Sequence, residues 1–299
     1  MLWVRSIALF AITLCAIGAT ACDYGSSQQA SSSTVAAPSE GRPAPGDQTV
    51  NLEFGGKTRS YVVHAPPGFN GNTALPLVVS LHHRPGDAAR SATLTGWNAK
   101  ADKENFLVVY PEGYNSAYNA LICCGGEDDV GFIKTIVASM ISKWKVDPRH
   151  VYAAGISNGG DMSFKLAVEL PGTFAAIAPV SGGFIGQTAE QPTYTPKTPV
   201  SVITFLGGKD SHFARIDAGI NQWQARLACA PVGEPAGLDK GITLATAKCA
   251  DGSDVQTYRL PEMGHAWPGA SRGDLTAPDA GLNATDLVWD FFKAHIHGA

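Results

Sequence analysis

The chain has 299 residues, a formal net charge of −4 and no obvious basic patch, so nucleic acid is not expected as a partner. Its N-terminus, MLWVRSIALFAITLCAIGATAC, carries one arginine, then an apolar run, then small residues before Cys22. The apolar part is short for a permanent membrane span. Residues 1–21 are therefore predicted to be the signal peptide of an exported protein.

Two processing routes fit the residues before Cys22. Ala19-Thr20-Ala21 satisfies the small-x-small rule of ordinary signal peptidase, which would release a secreted or periplasmic protein. The same residues followed by Cys22 resemble a bacterial lipobox, although Ala19 stands where lipoproteins more often have leucine. We favour lipidation of Cys22, which would anchor the protein to a membrane of the bacterial cell envelope.

Residues 23–48 consist mainly of Ser, Gln, Ala, Pro and Gly, with almost no bulky apolar side chains. Such a segment cannot bury enough surface to offset its chain entropy. Residues 22–48 are therefore predicted to be a lipidated cysteine followed by a flexible linker. Residues 49–299 are enough for one large folded domain.

Strands and helices alternate along this domain. VNLEFGGKTRSYVVHAPP predicts an opening hairpin, and buried strands are predicted in LPLVVSLHH, FLVVYPEG, RHVYAAG, FAAIAPVSGG, VSVITFLGG and DVQTYRLPEMG. Helical spacing predicts helices in DDVGFIKTIVASMISKW, NGGDMSFKLAVEL and NATDLVWDFFKAHIH, with Asp128 and Asp129 explained as N-terminal caps. The pattern predicts an α/β fold, with a mostly parallel sheet covered by helices on both faces.

Four cysteines lie in the predicted domain, and an even number in an exported chain indicates disulfides. Cys229 and Cys249 bracket a polar loop that contains Gly and Pro, so we pair them. Cys123 and Cys124 would then form either a disulfide between neighbours or two free thiols.

The segment VYAAGISNGGDMSFKLA places Ser157 between Gly155 and Gly159, where a predicted strand turns into a predicted helix. This is the context that a nucleophile elbow of the G-x-S-x-G type requires. Side chains two residues before or after the serine would collide with neighbouring elements, so glycine is needed there. The helix N-terminus favours developing negative charge, and the backbone N–H of Asn158 is a candidate oxyanion donor.

A serine needs a nearby base, and in proteins with this elbow the acid and then the histidine follow it in the chain. His265 lies in the loop PEMGHAWPGAS after the last predicted strand and is the favoured base. His295 and His297 lie in the last turn of the C-terminal helix, and His212 follows the acid candidate closely. Asp210, after a buried strand and Gly-Gly, is the favoured acid. The remaining downstream candidates are predicted to be solvated: Asp217, Asp239, Asp251 and Asp254.

From LPLVVSLHHRPGDA through GWNAKADKENFLVVYPEG, CCGGEDDVGF, VDPRHVYAAGISNGGDM, FAAIAPVSG and GHAWPG, the chain resembles a family of bacterial α/β-hydrolases. That family contains poly(3-hydroxybutyrate) depolymerases and feruloyl and acetyl-xylan esterases. The resemblance covers most of the chain from Asn51 on. It implies that Ser157, Asp210 and His265 form a catalytic triad, and that Trp267, in the loop G-H-x-W-P-G, lines the site.

The chain departs from this family in two loops. The family usually has His-Gly after the first buried strand, where this chain has His82-His83-Arg84. The second oxyanion N–H is therefore expected from His83 or Arg84, with His82 close to the substrate. The acid loop GGKDSHF replaces a commoner H-G-x-x-D-x-x-V-P-Y, so His212 is expected to shape the acyl pocket. A zinc site at the two histidines lacks a third ligand at a convincing spacing.

These features predict a serine carboxylic-ester hydrolase that works through an acyl-enzyme and needs no metal or organic cofactor. The expected substrates are hydroxybutyrate oligomers or polyesters, or feruloyl or acetyl esters of plant polysaccharide. Two alternatives stay open: a catalytically silent binding lipoprotein on a hydrolase scaffold, and a peptidase of the same fold.

Overall fold

The computed structural model describes residues 43–298. The predicted signal peptide, Cys22 and the linker as far as residue 42 lie outside these residues. The first strand begins at Gly46, three residues before Thr49, where the domain is predicted to begin. None of the helices in residues 43–298 has the length and apolar character needed to span a bilayer.

An eleven-stranded sheet forms the centre of the described domain, and a two-stranded sheet lies apart from it. The strands are β1 (Gly46–Phe54), β2 (Lys57–Ala65), β3 (Leu75–Leu81), β4 (Leu107–Pro111), β5 (Val146–Ile156), β6 (Ala176–Val180), β7 (Ser201–Gly207), β8 (Ala230–Pro231), β9 (Ala236–Gly237), β10 (Thr243–Lys248), β11 (Asp254–Leu260), β12 (Trp267–Pro268) and β13 (Thr276–Ala277). The main sheet runs in the order β1-β2-β4-β3-β5-β6-β7-β11-β10-β8, with β9 also paired to β10. Its central strands, from β4 to β11, are parallel, and antiparallel strands flank them.

Helices cover both faces of this sheet. They are α1 (Ala88–Thr95), α2 (Trp97–Glu104), α3 (Asp129–Lys143), α4 (Asn158–Glu169), α5 (Gln187–Glu190), α6 (Phe213–Arg226) and α7 (Ala284–Ala294), with 3-10 turns at Tyr114–Ser116 and Asp239–Gly241. Side chains of α3, α4 and α6 pack into one hydrophobic core. Side chains of α1, α2 and α7 pack into a second. The sheet therefore buries both faces, which is why its central strands are nearly continuous apolar runs.

The predicted fold class, the hairpin and the six buried strands are confirmed, as are the helices α3, α4 and α7. Helices α1, α2, α5 and α6 were not predicted. Apolar residues at helical spacing do occur in α6, where Ile216, Ile220 and Trp223 are buried.

The explanation of Asp129 as a helix cap is wrong. Asp128 is the N-cap of α3, and its Oδ1 accepts from the N–H of Gly131 at 2.8 Å. Asp129 is buried, and its carboxylate pairs with the equally buried Arg59 at 2.7 Å. Its second oxygen accepts from the N–H of Asn119 at 2.7 Å. Asp129 therefore neutralises a cation inside the domain, a role that sequence position alone does not reveal.

Two disulfides occur in the described residues. Cys229 and Cys249, the predicted pair, join the segment after α6 to the end of β10. Cys123 and Cys124 are bonded to each other, which settles the choice between a disulfide and two thiols.

Candidate active site

Ser157, Asp210 and His265 each follow a parallel strand of the main sheet. Ser157 comes directly after β5, Asp210 three residues after β7, and His265 five residues after β11. These strands lie in the order β5-β6-β7-β11 and run in one direction. Since the carboxyl ends of parallel strands share one edge of the sheet, the three side chains are brought to the same place.

The turn at Ser157 has the tight geometry that its flanking glycines predict. Ser157 has φ 56° and ψ −120°, in the left-handed half of conformational space, and its N–H donates to the Val180 carbonyl at 2.9 Å. A Cβ at Gly155 would lie 2.4 Å from the Gly159 carbonyl oxygen. A Cβ at Gly159 would lie 2.2 Å from the Leu81 carbonyl oxygen. Only glycine fits at both positions, and the strained serine is held where it can react.

Asp210 and His265 form a short hydrogen bond. His265 Nδ1 donates to Asp210 Oδ2 at 2.6 Å, and the other oxygen, Oδ1, accepts from the N–H of His212 at 2.8 Å. The Asp210 side chain is almost fully buried, whereas that of His265 is partly exposed. Because the carboxylate accepts a hydrogen bond from the Nδ1–H of His265, the proton stays on Nδ1 and the Nε2 lone pair is left free to act as a base.

Ser157 and His265 line the same cavity, which has a volume of about 320 Å³. Isoleucines form its apolar part, and polar and charged groups form the remainder. The lining residues are Arg84, Ile122, Cys123, Ser157, Asn158, Asp161, Ser181, Ile185, His212, Arg215, Ile216 and His265. This volume is at the small end for ligand sites and suits a short acyl or alcohol group.

The backbone near Ser157 provides candidate oxyanion donors. Asn158 is the first residue of α4, so its N–H has no partner inside the helix. Its side chain is fixed by Tyr118, whose N–H donates to Oδ1 at 2.8 Å and whose carbonyl accepts from Nδ2 at 3.1 Å. Arg84 lines the cavity, whereas His83 does not and is bonded through Nε2 to Asp274 at 3.0 Å. Of the two expected sources of a second donor, the structure places Arg84 at the site.

Asp161 is a buried carboxyl group on the cavity, four residues after Ser157 and therefore on the same side of α4. Its Oδ1 accepts from the N–H of Gly183 at 2.8 Å. Burial raises the pKa of Asp161 to about 7, against the opposing effects of the Gly183 N–H and the Arg215 charge. Sequence reasoning did not select this residue, although its spacing of four from the serine was an available signal.

Two of the residues predicted to contact substrate lie elsewhere. His82 is fully buried, donates from Nδ1 to the His83 carbonyl at 2.7 Å and accepts from the Gly113 N–H at 2.9 Å. Burial lowers the pKa of His82 to about 4, so it is a neutral structural residue. Trp267 is also buried, and its indole N–H donates to Thr285 at 3.0 Å. It borders a different cavity of about 530 Å³. Contrary to the prediction, neither His82 nor Trp267 lines the cavity that contains Ser157.

His212 does lie on the cavity that contains Ser157, with its ring 5.9 Å from that of His265, centroid to centroid. His295 instead donates from Nε2 to Asp254 Oδ2 at 2.9 Å, at the opposite end of β11. Asp217 is not merely solvated, because Arg259 donates to it at 2.6 Å. His295 and Asp217 are thus tied to other partners.

The fold and this site define the class of protein. Searches of solved structures return α/β-hydrolase esterases. An acetyl xylan esterase from Aspergillus awamori aligns with a TM-score of 0.60 and 16% identity, over 82% of this chain and 99% of that one. FphF, a fluorophosphonate-binding serine hydrolase of Staphylococcus aureus, aligns with a TM-score of 0.52 and 15% identity, over 74% and 92%. The chain has the α/β-hydrolase fold.

The chain belongs to the esterase PHB depolymerase family, whose sequence model matches residues 59–221. It is 31% identical to the NocK protein of Nocardia uniformis subsp. tsuyamanensis, over 84% of this chain and 75% of that protein. It is 30% identical to feruloyl esterase B of Piromyces equi, over 51% and 29%. It is 28% identical to poly(3-hydroxyalkanoate) depolymerase C of Paucimonas lemoignei, over 69% and 58%. The aligned part of the chain thus spans 29% of the length of the feruloyl esterase and 58% of that of the depolymerase, in both cases less than two thirds.

Proposed function

We propose that the chain is a serine carboxylic-ester hydrolase that works through an acyl-enzyme. The observation that carries this proposal is the 2.6 Å bond from His265 to Asp210 beside a cavity that also contains the strained Ser157. A structural role for the Asp–His pair would not require a serine at positive φ on the same cavity. Membership of an esterase family supports the same reaction class.

In the proposed mechanism, Ser157 Oγ attacks the ester carbonyl carbon while His265 Nε2 takes its proton. The imidazolium that forms is stabilised by the Asp210 carboxylate. The tetrahedral oxyanion accepts from the N–H of Asn158 and from that of Arg84. These donors are backbone groups fixed before the reaction, so they need no reorganisation as charge develops.

Collapse of the first intermediate expels the alcohol, which takes its proton from His265. Water then enters, gives a proton to His265 and attacks the acyl-enzyme carbonyl. Collapse of the second tetrahedral intermediate breaks the bond to Ser157 Oγ, which takes the proton back from His265, and the acid is released. The overall reaction consumes one ester and one water and yields one carboxylic acid and one alcohol.

The relatives are named as feruloyl and acetylxylan esterases and as a polyhydroxyalkanoate depolymerase. We therefore propose esters of short hydroxy acids, or feruloyl or acetyl esters of polysaccharide, as substrates. The small cavity favours short groups on the side of the ester that it holds.

We also propose, from the sequence of residues 1–48, that the enzyme is exported and anchored to the envelope through Cys22. Metabolic labelling with palmitate in a bacterial host tests this. Label in the parent that is absent in Cys22→Ser supports the anchor, and equal labelling of the two chains refutes it.

Hydrolysis of p-nitrophenyl acetate and butyrate by the full chain, beside Ser157→Ala, tests the function. We expect activity that falls on the order of a million-fold in the variant, because the triad acts as a unit. Ser181→Ala is the matched control. Ser181 also lies on the cavity and has φ 46°, but its hydroxyl donates to the Ala266 carbonyl.

Ser181→Ala is expected to retain most of the activity. Equal activity in the parent and Ser157→Ala would remove Ser157 as the nucleophile. An inactive parent that also fails to react with a fluorophosphonate would favour a binding protein on a hydrolase scaffold. Cleavage of peptides in preference to esters would favour a peptidase.

A further inference from the structure

Two arginine side chains border the catalytic cavity without an ion pair or a hydrogen bond in the described residues. Arg84 and Arg215 both line it and both are exposed. Within residues 43–298, neither guanidinium forms an ion pair or a hydrogen bond. Other arginines of the domain, such as Arg59 and Arg259, pair with carboxylates. The two cations at the cavity are therefore available to a ligand.

The position of Arg215 is not explained by helix stability. It lies in the first turn of α6, which begins at Phe213 and has no acidic residue in that turn. The positive end of a helix dipole disfavours a cation in the first turn. Helix stability would favour an acidic residue at this place. An arginine facing the serine's cavity fits recognition of an anion better.

Arg84 also lines the cavity, three residues after the end of β3. It is the third residue of the stretch His82-His83-Arg84. The two histidines are buried in local structure, whereas the arginine side chain stays exposed at the cavity. Arg84 therefore adds one cation to the site.

The acidic groups of the site do not cancel the two arginines. The Asp210 carboxylate is engaged by His265 and by the N–H of His212. Asp161 is bonded to the Gly183 N–H, makes no ion pair with Arg215, and has a pKa raised by burial to about 7. Neither carboxyl group is therefore paired with the guanidinium of Arg84 or Arg215.

We propose that this cavity selects esters that carry a carboxylate close to the scissile bond, bound by Arg84 and Arg215. Free ends of hydroxy-acid oligomers have this chemistry, because their terminal carboxylate is a few bonds from the last ester. The proposal rests on the esterase function proposed above. Guanidinium groups suit it because they bind carboxylates with paired N–H donors and stay charged at all relevant pH values.

The test compares two substrates that differ only in charge. One is the dimer of 3-hydroxybutyrate with its free carboxylate, and the other is the same dimer with a primary amide in place of the carboxylate. Each contains a single ester bond, and disappearance of the dimer is followed by chromatography, because cleavage of the acid yields two 3-hydroxybutyrates and cleavage of the amide only one. We expect the full chain to prefer the acid roughly tenfold or more in kcat/KM, as charge-assisted pairs at a partly exposed site allow.

Arg215→Gln and Arg84→Gln should each lower this ratio by roughly three- to tenfold, and together bring it close to one. Arg215→Lys should retain part of the preference, because it keeps the charge and loses the fork geometry. Arg149→Gln is the control for net charge. Arg149 lies near the start of β5, at the opposite edge of the sheet, where it pairs with Asp147. This variant should keep the parental ratio.

Salt provides a second readout, since raising it from about 0.05 to about 0.5 M should reduce the preference for the acid. Hydrolysis of the amide dimer at a rate equal to or above that of the acid would overturn the carboxylate proposal and leave the esterase function standing. Equal loss of preference in Arg149→Gln would also overturn it. Failure to hydrolyse either dimer or any p-nitrophenyl ester would remove both proposals together.

Discussion

Asp161 gives the protein a dependence of stability on pH that one substitution should remove. In the folded chain the carboxyl is buried and its pKa is about 7, whereas the ordinary value is 3.8. Between these values the folded state holds a proton that the unfolded chain has released. Stability is therefore lost as the pH rises from about 4 to above 7. Asp161→Asn keeps an oxygen for the Gly183 N–H and does not ionise.

The magnitude follows from the shift of about three pKa units, which corresponds to about 4 kcal/mol once the carboxyl is ionised in both states. At pH 8.5 nearly all of this cost is present. At pH 5 the folded carboxyl is still protonated and the cost is below about 2 kcal/mol. Asp161→Asn should therefore raise the free energy of unfolding by about 3 kcal/mol more at pH 8.5 than at pH 5. Any effect of the amide that does not depend on pH cancels in this difference.

Urea unfolding at pH 5 and pH 8.5, followed by tryptophan fluorescence with the disulfides intact, measures the free energy of unfolding of both chains. Asp279→Asn is the control, because Asp279 is exposed and its side chain makes no hydrogen bond or ion pair in the described residues. It reports the effect of removing one surface charge. An Asp161→Asn benefit that is the same at both pH values would refute the buried, proton-binding carboxyl.

Three further substitutions test the site and its support. Asp210→Asn should lower kcat by roughly 10³- to 10⁴-fold with little change in KM, because the amide no longer holds His265 in the tautomer with its proton on Nδ1. Steady-state kinetics measures both constants. An unchanged kcat would exclude Asp210 as the acid. Asp129→Ala should lower the free energy of unfolding in urea by about 3–5 kcal/mol, since it leaves a buried arginine unpaired. Asp128→Ala should lower it by about 1 kcal/mol, since it removes the cap of α3. Equal losses in the two variants would refute this difference. Gly159→Ala should yield little folded protein, as judged by circular dichroism, because its Cβ would lie 2.2 Å from a carbonyl oxygen; a stable, active variant would show that the turn tolerates a side chain.

Most of the candidate site could be predicted because its signals are local in sequence. A nucleophile elbow needs glycines on both sides of the serine. A Cβ at Gly155 or Gly159 would collide with the backbone. Five consecutive residues are therefore enough to predict the turn that presents the serine. Asp210 and His265 each follow an apolar strand. Strand order then brings them together without any further information.

The remainder of the cavity depends on contacts that sequence does not contain. The buried state of Asp161 is set by the Gly182–Gly183 segment after β6, which is distant in the chain. His82 and Trp267 lie beside the expected motifs, yet their side chains are buried and bonded to the His83 carbonyl and to Thr285. Arg215 lies in a helix that the sequence analysis missed, so its charge could not be assigned to the site.

Reaction with a fluorophosphonate, followed by intact mass measurement and peptide mapping, tests the nucleophile most directly. We expect one adduct per chain, located on Ser157 and absent in Ser157→Ala. Loss of p-nitrophenyl butyrate hydrolysis should parallel its formation. An adduct on Ser181, or full hydrolysis by a chain that carries no adduct, would show that Ser157 is not the residue that attacks the ester.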